Sequence, residues 1–174
     1  MRVFYAVTFD SENKEKLKTI GNLVKLNSEK GRFTSYINYH ITIEFIGEVD
    51  DEKRLEKLKN ILENIKIPPI KLKFNKLGSF NRGYKKIVWI GLQENKELTK
   101  VHNDLKNLLN ENSFKTEERS FTPHLTIGRQ VVLKDKLEEI SFQEIETGVK
   151  SIALMESKRT NGKLVYKPIK EVKP

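Results

Sequence analysis

The sequence predicts an α+β fold in which two related lobes each combine β-strands with flanking helices. Three observations carry this reading. Short β-rich runs alternate with amphipathic helical stretches along the whole chain. A strand–helix–strand unit occurs twice: at an offset of 84 residues His40 falls on His124, Ile41 on Leu125, Thr42 on Thr126 and Ile43 on Ile127. No flexible linker or low-complexity segment separates the copies, so residues 1–174 form one domain, with the repeat spanning about 1–47 and 85–129. Two copies are too few for a solenoid, and two lobes related by pseudo-twofold symmetry fit better.

The elements follow in order. Val3 to Phe9 is a β-rich run, and Asp10 and Ser11 then offer caps to a helix with Leu17, Ile20 and Val24 at helical spacing. Tyr39 to Ile46 alternates as a strand, with Tyr39, Ile41, Ile43 and Phe45 on one face and His40, Thr42 and Glu44 on the other. Asp50-Asp51 opens a second helix carrying Leu55, Leu58, Ile61, Leu62 and Ile65, and Pro68-Pro69 ends it. Ile70, Leu72 and Phe74 form a half-exposed strand that runs into a loop from Gly78 to Gly83. Ile87 to Leu92 is a strand. Glu97 to Leu109 is a helix with Val101, Leu105 and Leu108 inward, and Pro123 to Ile127 is again a strand. Lys134 to Ile140 suits a short helix. Gly148 to Met155 and Lys163 to Ile169 pair across an Asn161-Gly162 turn. The repeat lays Val3-Phe4-Tyr5-Ala6 on Ile87-Val88-Trp89-Ile90, which places Trp89, like Tyr5, in the core.

Composition narrows the function. Hydrophobic residues make up 37% and charged residues 33%, a soluble mixture with no stretch able to span a membrane. The N-terminal run is too short for a signal peptide, so a cytoplasmic protein is expected. With no cysteine, disulfides, thiolate metal sites and cysteine nucleophiles are excluded. The net charge of +9 favours an anionic partner, although a Lys-, Asn-, Ile- and Glu-rich composition also supplies lysines to solvated helix faces.

In His40-Ile41-Thr42 and His124-Leu125-Thr126 the polar pair stands two apart on a strand, on one face about 7 Å apart along it. A lone histidine there is usually structural. Two copies at equivalent places are different, because core packing has no reason to demand polar residues twice on one face. Facing each other across a cleft, one neutral imidazole takes a proton from water while the other, protonated, gives one to a departing oxygen. The hydroxyls donate to non-bridging phosphate oxygens. That suits phosphodiester hydrolysis with no metal and no cofactor. A zinc site lacks a third ligand at any recognisable spacing.

Tyr39-His40-Ile41-Thr42-Ile43-Glu44-Phe45-Ile46-Gly47-Glu48 and Phe121-Thr122-Pro123-His124-Leu125-Thr126-Ile127-Gly128-Arg129 resemble the paired motifs of the two-histidine (2H) phosphoesterases. Within them the match is to the RNA 2′,3′-cyclic phosphodiesterase branch, also called 2′-5′ RNA ligase-like proteins. It runs the length of the chain, including Gly78-Ser79-Phe80, Lys86 to Leu92 and Leu154-Met155-Glu156-Ser157. The resemblance implies a bilobal α+β fold of two antiparallel-sheet lobes around a positively charged central cleft. It implies hydrolysis of a terminal 2′,3′-cyclic phosphate to a 2′-phosphate, with His40 as acid and His124 as base, although the motif symmetry itself does not distinguish them. Arg129 matches a basic residue used near the phosphate. Glu44, expected on the cleft side, and Asn38-Tyr39 depart from the family's usual residues and bear on substrate length and base preference.

Around this core of residues, Phe80 is a candidate for stacking on a base, and Arg82, Lys85 and Lys86 for holding the RNA backbone. His102 reads as a surface or rim residue of its helix. The expected partner is RNA ending in a 2′,3′-cyclic phosphate, or a small cyclic nucleotide, bound by a monomer. Two alternatives stay open: a noncatalytic RNA-binding module, and the same chemistry run as 2′-5′ RNA ligation. Retention of both His/Thr pairs argues against the first.

Overall fold

Three helices begin and end on the same side-chain chemistry. Asp10, Asp51 and Asn95 cap the N-termini of α1 (Ser11–Leu26), α2 (Glu52–Glu63) and α3 (Lys96–Glu111) by accepting from the backbone N–H of Asn13, Lys53 and Leu98. Asn27, Asn64 and Asn112 close the C-termini, each side-chain amide donating at 2.8–2.9 Å to the carbonyl four residues back. These bonds satisfy donors and acceptors that a helix end leaves without intrahelical partners.

The computed structural model describes residues 1–174. Its strands are β1 (Arg2–Thr8), β2 (Ser28–Phe33), β3 (Ile41–Glu48), β4 (Lys71–Arg82), β5 (Lys85–Leu92), β6 (His124–Leu133), β7 (Ile145–Gly148), β8 (Ser151–Thr160) and β9 (Lys163–Val172). They form two sheets, in the orders β3-β1-β8-β9 and β2-β6-β5-β4-β7, and every pairing is antiparallel. The bilobal α+β architecture is as expected. Each sheet places a strand–helix–strand unit in corresponding order: β3 and β1 in the first, β6 and β5 in the second.

The helices cross over. α1 leaves β1 of the first sheet and lies against β2 and β7 of the second, whereas α3 leaves β5 of the second sheet and contacts β3 of the first. α2 covers β8 and β9 and meets α3. One apolar core of 32 buried residues therefore runs through both lobes. Burial of each large side chain contributes roughly 1.5–3 kcal/mol, and because the core is continuous this burial joins the lobes as well as filling them. Tyr5 lies wholly inside and donates its hydroxyl to the Leu58 carbonyl at 2.7 Å.

Several elements differ from expectation. The segment from Gly78 to Arg82 is strand, not loop, because β4 continues to a tight turn at Gly83. A Cβ on Gly78 would lie 2.2 Å from the Trp89 ring, so glycine is there to admit the indole. β2 and β7 are edge strands of mixed polarity, SEKGRF and IETG, with too little alternation to announce themselves. Between Lys134 and Ile140 only a single 3₁₀ turn forms, Leu137–Glu139.

Ladder irregularities also move side chains between faces. One extra residue, Ile43, sits in β3 between the pairs Tyr5–Glu44 and Ala6–Thr42. Such a bulge reverses the alternation beyond it. Glu44 is therefore buried with the core at 2% exposure, and Phe45 points outward, the opposite of the expected faces. In β5, Trp89 pairs with Thr126 as Ala6 pairs with Thr42, one step from the alignment with Tyr5. Val88 and Ile90 fill the core instead, and Trp89 is only partly buried, beside His124.

Candidate active site

The two histidines are held by one local device. His40 Nδ1–H donates to the Asn38 carbonyl at 2.7 Å, and His124 Nδ1–H donates to the Thr122 carbonyl at 2.7 Å. In each case the acceptor is the residue two before the histidine, where the chain enters β3 or β6. A carbonyl only accepts, so each neutral ring carries its proton on Nδ1 and its lone pair on Nε2. Side chains of His40, Thr42, His124 and Thr126 all line one open cleft of about 720 Å³ between the sheets.

Arg129 lines the same cleft. It reaches it at a bulge, where Arg129 and Gln130 stand opposite Ile87, and Gln130 takes a φ of 52°. Arg2, Lys158 and Arg159 join it from β1 and β8, with Glu48 and Glu156 as the acidic members, so the cleft carries an excess of positive charge. Glu48 is engaged by the N-terminal ammonium at 3.3 Å. The donor set includes two histidines but no grouping of three or more His, Asp or Glu side chains able to hold a metal ion.

The surroundings of the two rings differ. His40 lies against Phe4 and Tyr166, with ring centroids 5.1 and 4.8 Å away, and its Nε2 is 3.1 Å from the Thr42 hydroxyl. Burial lowers its pKa below the ordinary imidazole value, helped by the charges of Lys14, His124 and Arg129 and opposed by the Asn38 hydrogen bond. Tyr166, packed over it, is shifted up by the same desolvation. His124 stands between Phe80 at 5.2 Å and Trp89 at 5.7 Å, and no bond joins it to Thr126.

Of the residues expected to hold RNA, Phe80 is exposed and touches the His124 ring, whereas Arg82 and Lys85 face each other at the tip of the β4–β5 hairpin, away from the cleft lining. Lys86 is bonded to Asn81. His102 is not a rim residue. It is buried at 7% exposure, because the inward stripe of α3 is Leu98, Val101, His102, Leu105 and Leu109. Arg2, Phe45 and Tyr166 also line the cleft, beyond the residues expected from the sequence. Phe45 is exposed in the cleft with the Arg2 guanidinium 5.0 Å from its ring centre, an aromatic face beside a cation that suits a nucleobase next to a phosphate. The bulge at Ile43 hid Phe45, and no pattern in the sequence marks Tyr166.

Residues 30–161, which contain both His-x-Thr motifs and their flanks, match the model of the 2′-5′ RNA ligase superfamily. The chain belongs to this superfamily. Among its relatives, the RNA 2′,3′-cyclic phosphodiesterase of Methanocaldococcus jannaschii is 36% identical over 182 aligned residues, covering 98% of this chain and 99% of that protein. The RNA 2′,3′-cyclic phosphodiesterase of Archaeoglobus fulgidus is 34% identical, covering 98% of each. Escherichia coli LigT in its apo form shares the fold of this superfamily member, with a TM-score of 0.79 at 23% identity over 99% of this chain and 96% of that one. A second LigT structure is a complex with 3′-AMP. No helix of this superfamily member is long and apolar enough to cross a membrane.

Proposed function

We propose that this chain hydrolyses the terminal 2′,3′-cyclic phosphate of RNA to a 2′-phosphate, with His40 as general base and His124 as general acid. The observation that carries the proposal is the convergence on one cleft of two imidazoles, each tied through Nδ1 to a backbone carbonyl and each accompanied by a threonine. The names of the Methanocaldococcus and Archaeoglobus relatives support the substrate.

The reaction balances with groups the chain supplies. A water oxygen bonds to phosphorus and gives a proton to His40 Nε2, whose neutral form burial favours. The P–O3′ bond breaks, and His124 Nε2–H gives its proton to O3′. Thr42, Thr126 and Arg129 stabilise the charge that gathers on the non-bridging oxygens. This assignment reverses the roles that the family resemblance implies for the two histidines; the enclosure of His40 by Phe4 and Tyr166 and the Thr42 hydroxyl at its Nε2 support it. All the groups come from one chain, so a monomer suffices, and no step calls for a metal.

The test is turnover of a short oligoribonucleotide ending in a 2′,3′-cyclic phosphate, in excess EDTA, with the product end identified. Wild type is expected to yield a 2′-phosphate, and His40→Ala and His124→Ala each to lose ~100-fold or more. Binding without turnover by wild type would instead favour a noncatalytic RNA-binding module. Activity persisting in both variants would show the site to be elsewhere.

A further inference from the structure

Glu44 sits four residues beyond His40 on β3, yet its carboxylate is turned away from the cleft and buried. A carboxylate removed from water needs partners, and two groups distant along the chain provide them. The backbone N–H of Glu117 donates to Oε1 at 2.6 Å, and His102 Nε2 of α3 stands 3.6 Å from Oε2. The His102 ring in turn lies flat on Phe121, with centroids 4.1 Å apart and planes within 6°. Phe121 directly precedes Thr122, whose carbonyl holds His124 Nδ1.

These contacts form a continuous path. α3 leaves the second sheet, crosses the first, and residues 112–123 bring the chain back to begin β6 at His124. Glu44 grips that return at Glu117 and, through His102, at Phe121. The strand that carries His40 and Thr42 is thereby tied to the segment that delivers His124. The Glu117 N–H bond to Glu44 is directional and fixes one arrangement of the return segment, while the His102 contact at 3.6 Å adds a buried charge–dipole attraction that is a weak source of stability.

We infer that Glu44 and His102 are positioning residues, a latch that sets His124 against His40 across the cleft. The inference rests on the proposed acid–base reading, and its test separates the two. Steady-state hydrolysis of the cyclic-phosphate oligonucleotide and the imidazole ¹H–¹⁵N spectrum of His124 are measured for wild type, Glu44→Leu, Glu44→Gln and His102→Phe. Glu44→Leu and His102→Phe are expected to lower kcat ~10-fold or more with KM within about twofold, since small misplacements of reacting groups cost that much. Both should also shift the His124 Nδ1–H signal. Glu44→Gln keeps an oxygen for the Glu117 N–H, and its amide N–H can be accepted by His102 Nε2 once the ring proton moves to Nδ1, beside Asn103 Oδ1, so kcat should return to within about threefold of wild type. The latch is refuted if Glu44→Leu or His102→Phe unfolds at lower temperature while kcat and the His124 signal stay at wild-type values. If wild type shows no turnover, the catalytic reading fails on its own, and the His124 spectrum still decides the latch.

Discussion

His40 and His124 stand at the same step of the same supersecondary unit, each anchored to the carbonyl two residues back, but the lobes give them different company. His40 is enclosed by Phe4 and Tyr166 and touches the Thr42 hydroxyl. His124 is flanked by Phe80, itself exposed, and by Trp89, with no bond to Thr126. The return segments that deliver them are fastened differently too. The one before His40 is secured by the buried Tyr39, whose phenol desolvation pushes up to about 12, whereas the one before His124 is held by the polar Glu44–His102 pair. A symmetric backbone thus gives two equivalent rings different surroundings, and proton affinity is set by what surrounds a ring and not by the strand that bears it.

The most severe way to break this comparison is to remove the need for an acid. A 2′,3′-cyclic substrate with sulfur in place of O3′ expels a thiolate that needs no proton. On it, His124→Ala is expected to recover most of its ~100-fold loss while His40→Ala stays inactive. Rescue of His40→Ala instead would exchange the two roles.

A smaller effect comes from the threonines. If the proposed phosphate contacts hold, Thr42→Val and Thr126→Val each remove a hydrogen bond worth about 1.5–3 kcal/mol, so kcat/KM should fall by roughly tenfold or more in both. Only Thr42→Val should also move the acid limb of the pH–rate profile upward, since only Thr42 touches its histidine. Equal profiles for the two variants would remove that asymmetry.

Exposing His40 should have a milder consequence. With Tyr166→Ala the ring gains water, its pKa rises toward ~6.5, and the acid limb of kcat/KM shifts to higher pH. An unmoved limb would mean that burial does not tune the base.

The smallest effect is on stability. The pKa of His40 is lower in the folded chain than in the unfolded one, so the unfolded chain takes up the proton first as pH falls. Its contribution is present above ~6.5 and lost as pH drops through the folded value. Between pH 7 and pH 5, wild type should lose more Tm than His40→Gln. A parallel decline would count against the lowered value.

The fold and the paired histidine–threonine motifs are legible in the sequence for the same reason. Alternating apolar residues, Asp and Asn caps and the doubled His-x-Thr are local patterns, and local patterns survive in a linear string. What escaped depends on single-residue shifts. The bulge at Ile43 exchanged the faces of Glu44 and Phe45, and a one-step change of register carried Trp89 from the core to the side of His124. β2 and β7 stayed hidden because edge strands need bury little. Gly78 looked like a loop residue because nothing in the sequence shows an indole lying on it.

By itself, then, the sequence determined the three helices, all the strands but the two edge strands β2 and β7, the pseudo-twofold pairing of lobes, and two imidazole–hydroxyl pairs on matching strands. Tertiary structure alone decided that helices cross between lobes, that Arg2, Phe45 and Tyr166 join the cleft, and that His102 is an interior partner of Glu44. The division is physical. Periodicity and capping act between residues a few positions apart, whereas register, burial and pKa are set by groups brought together from distant parts of the chain.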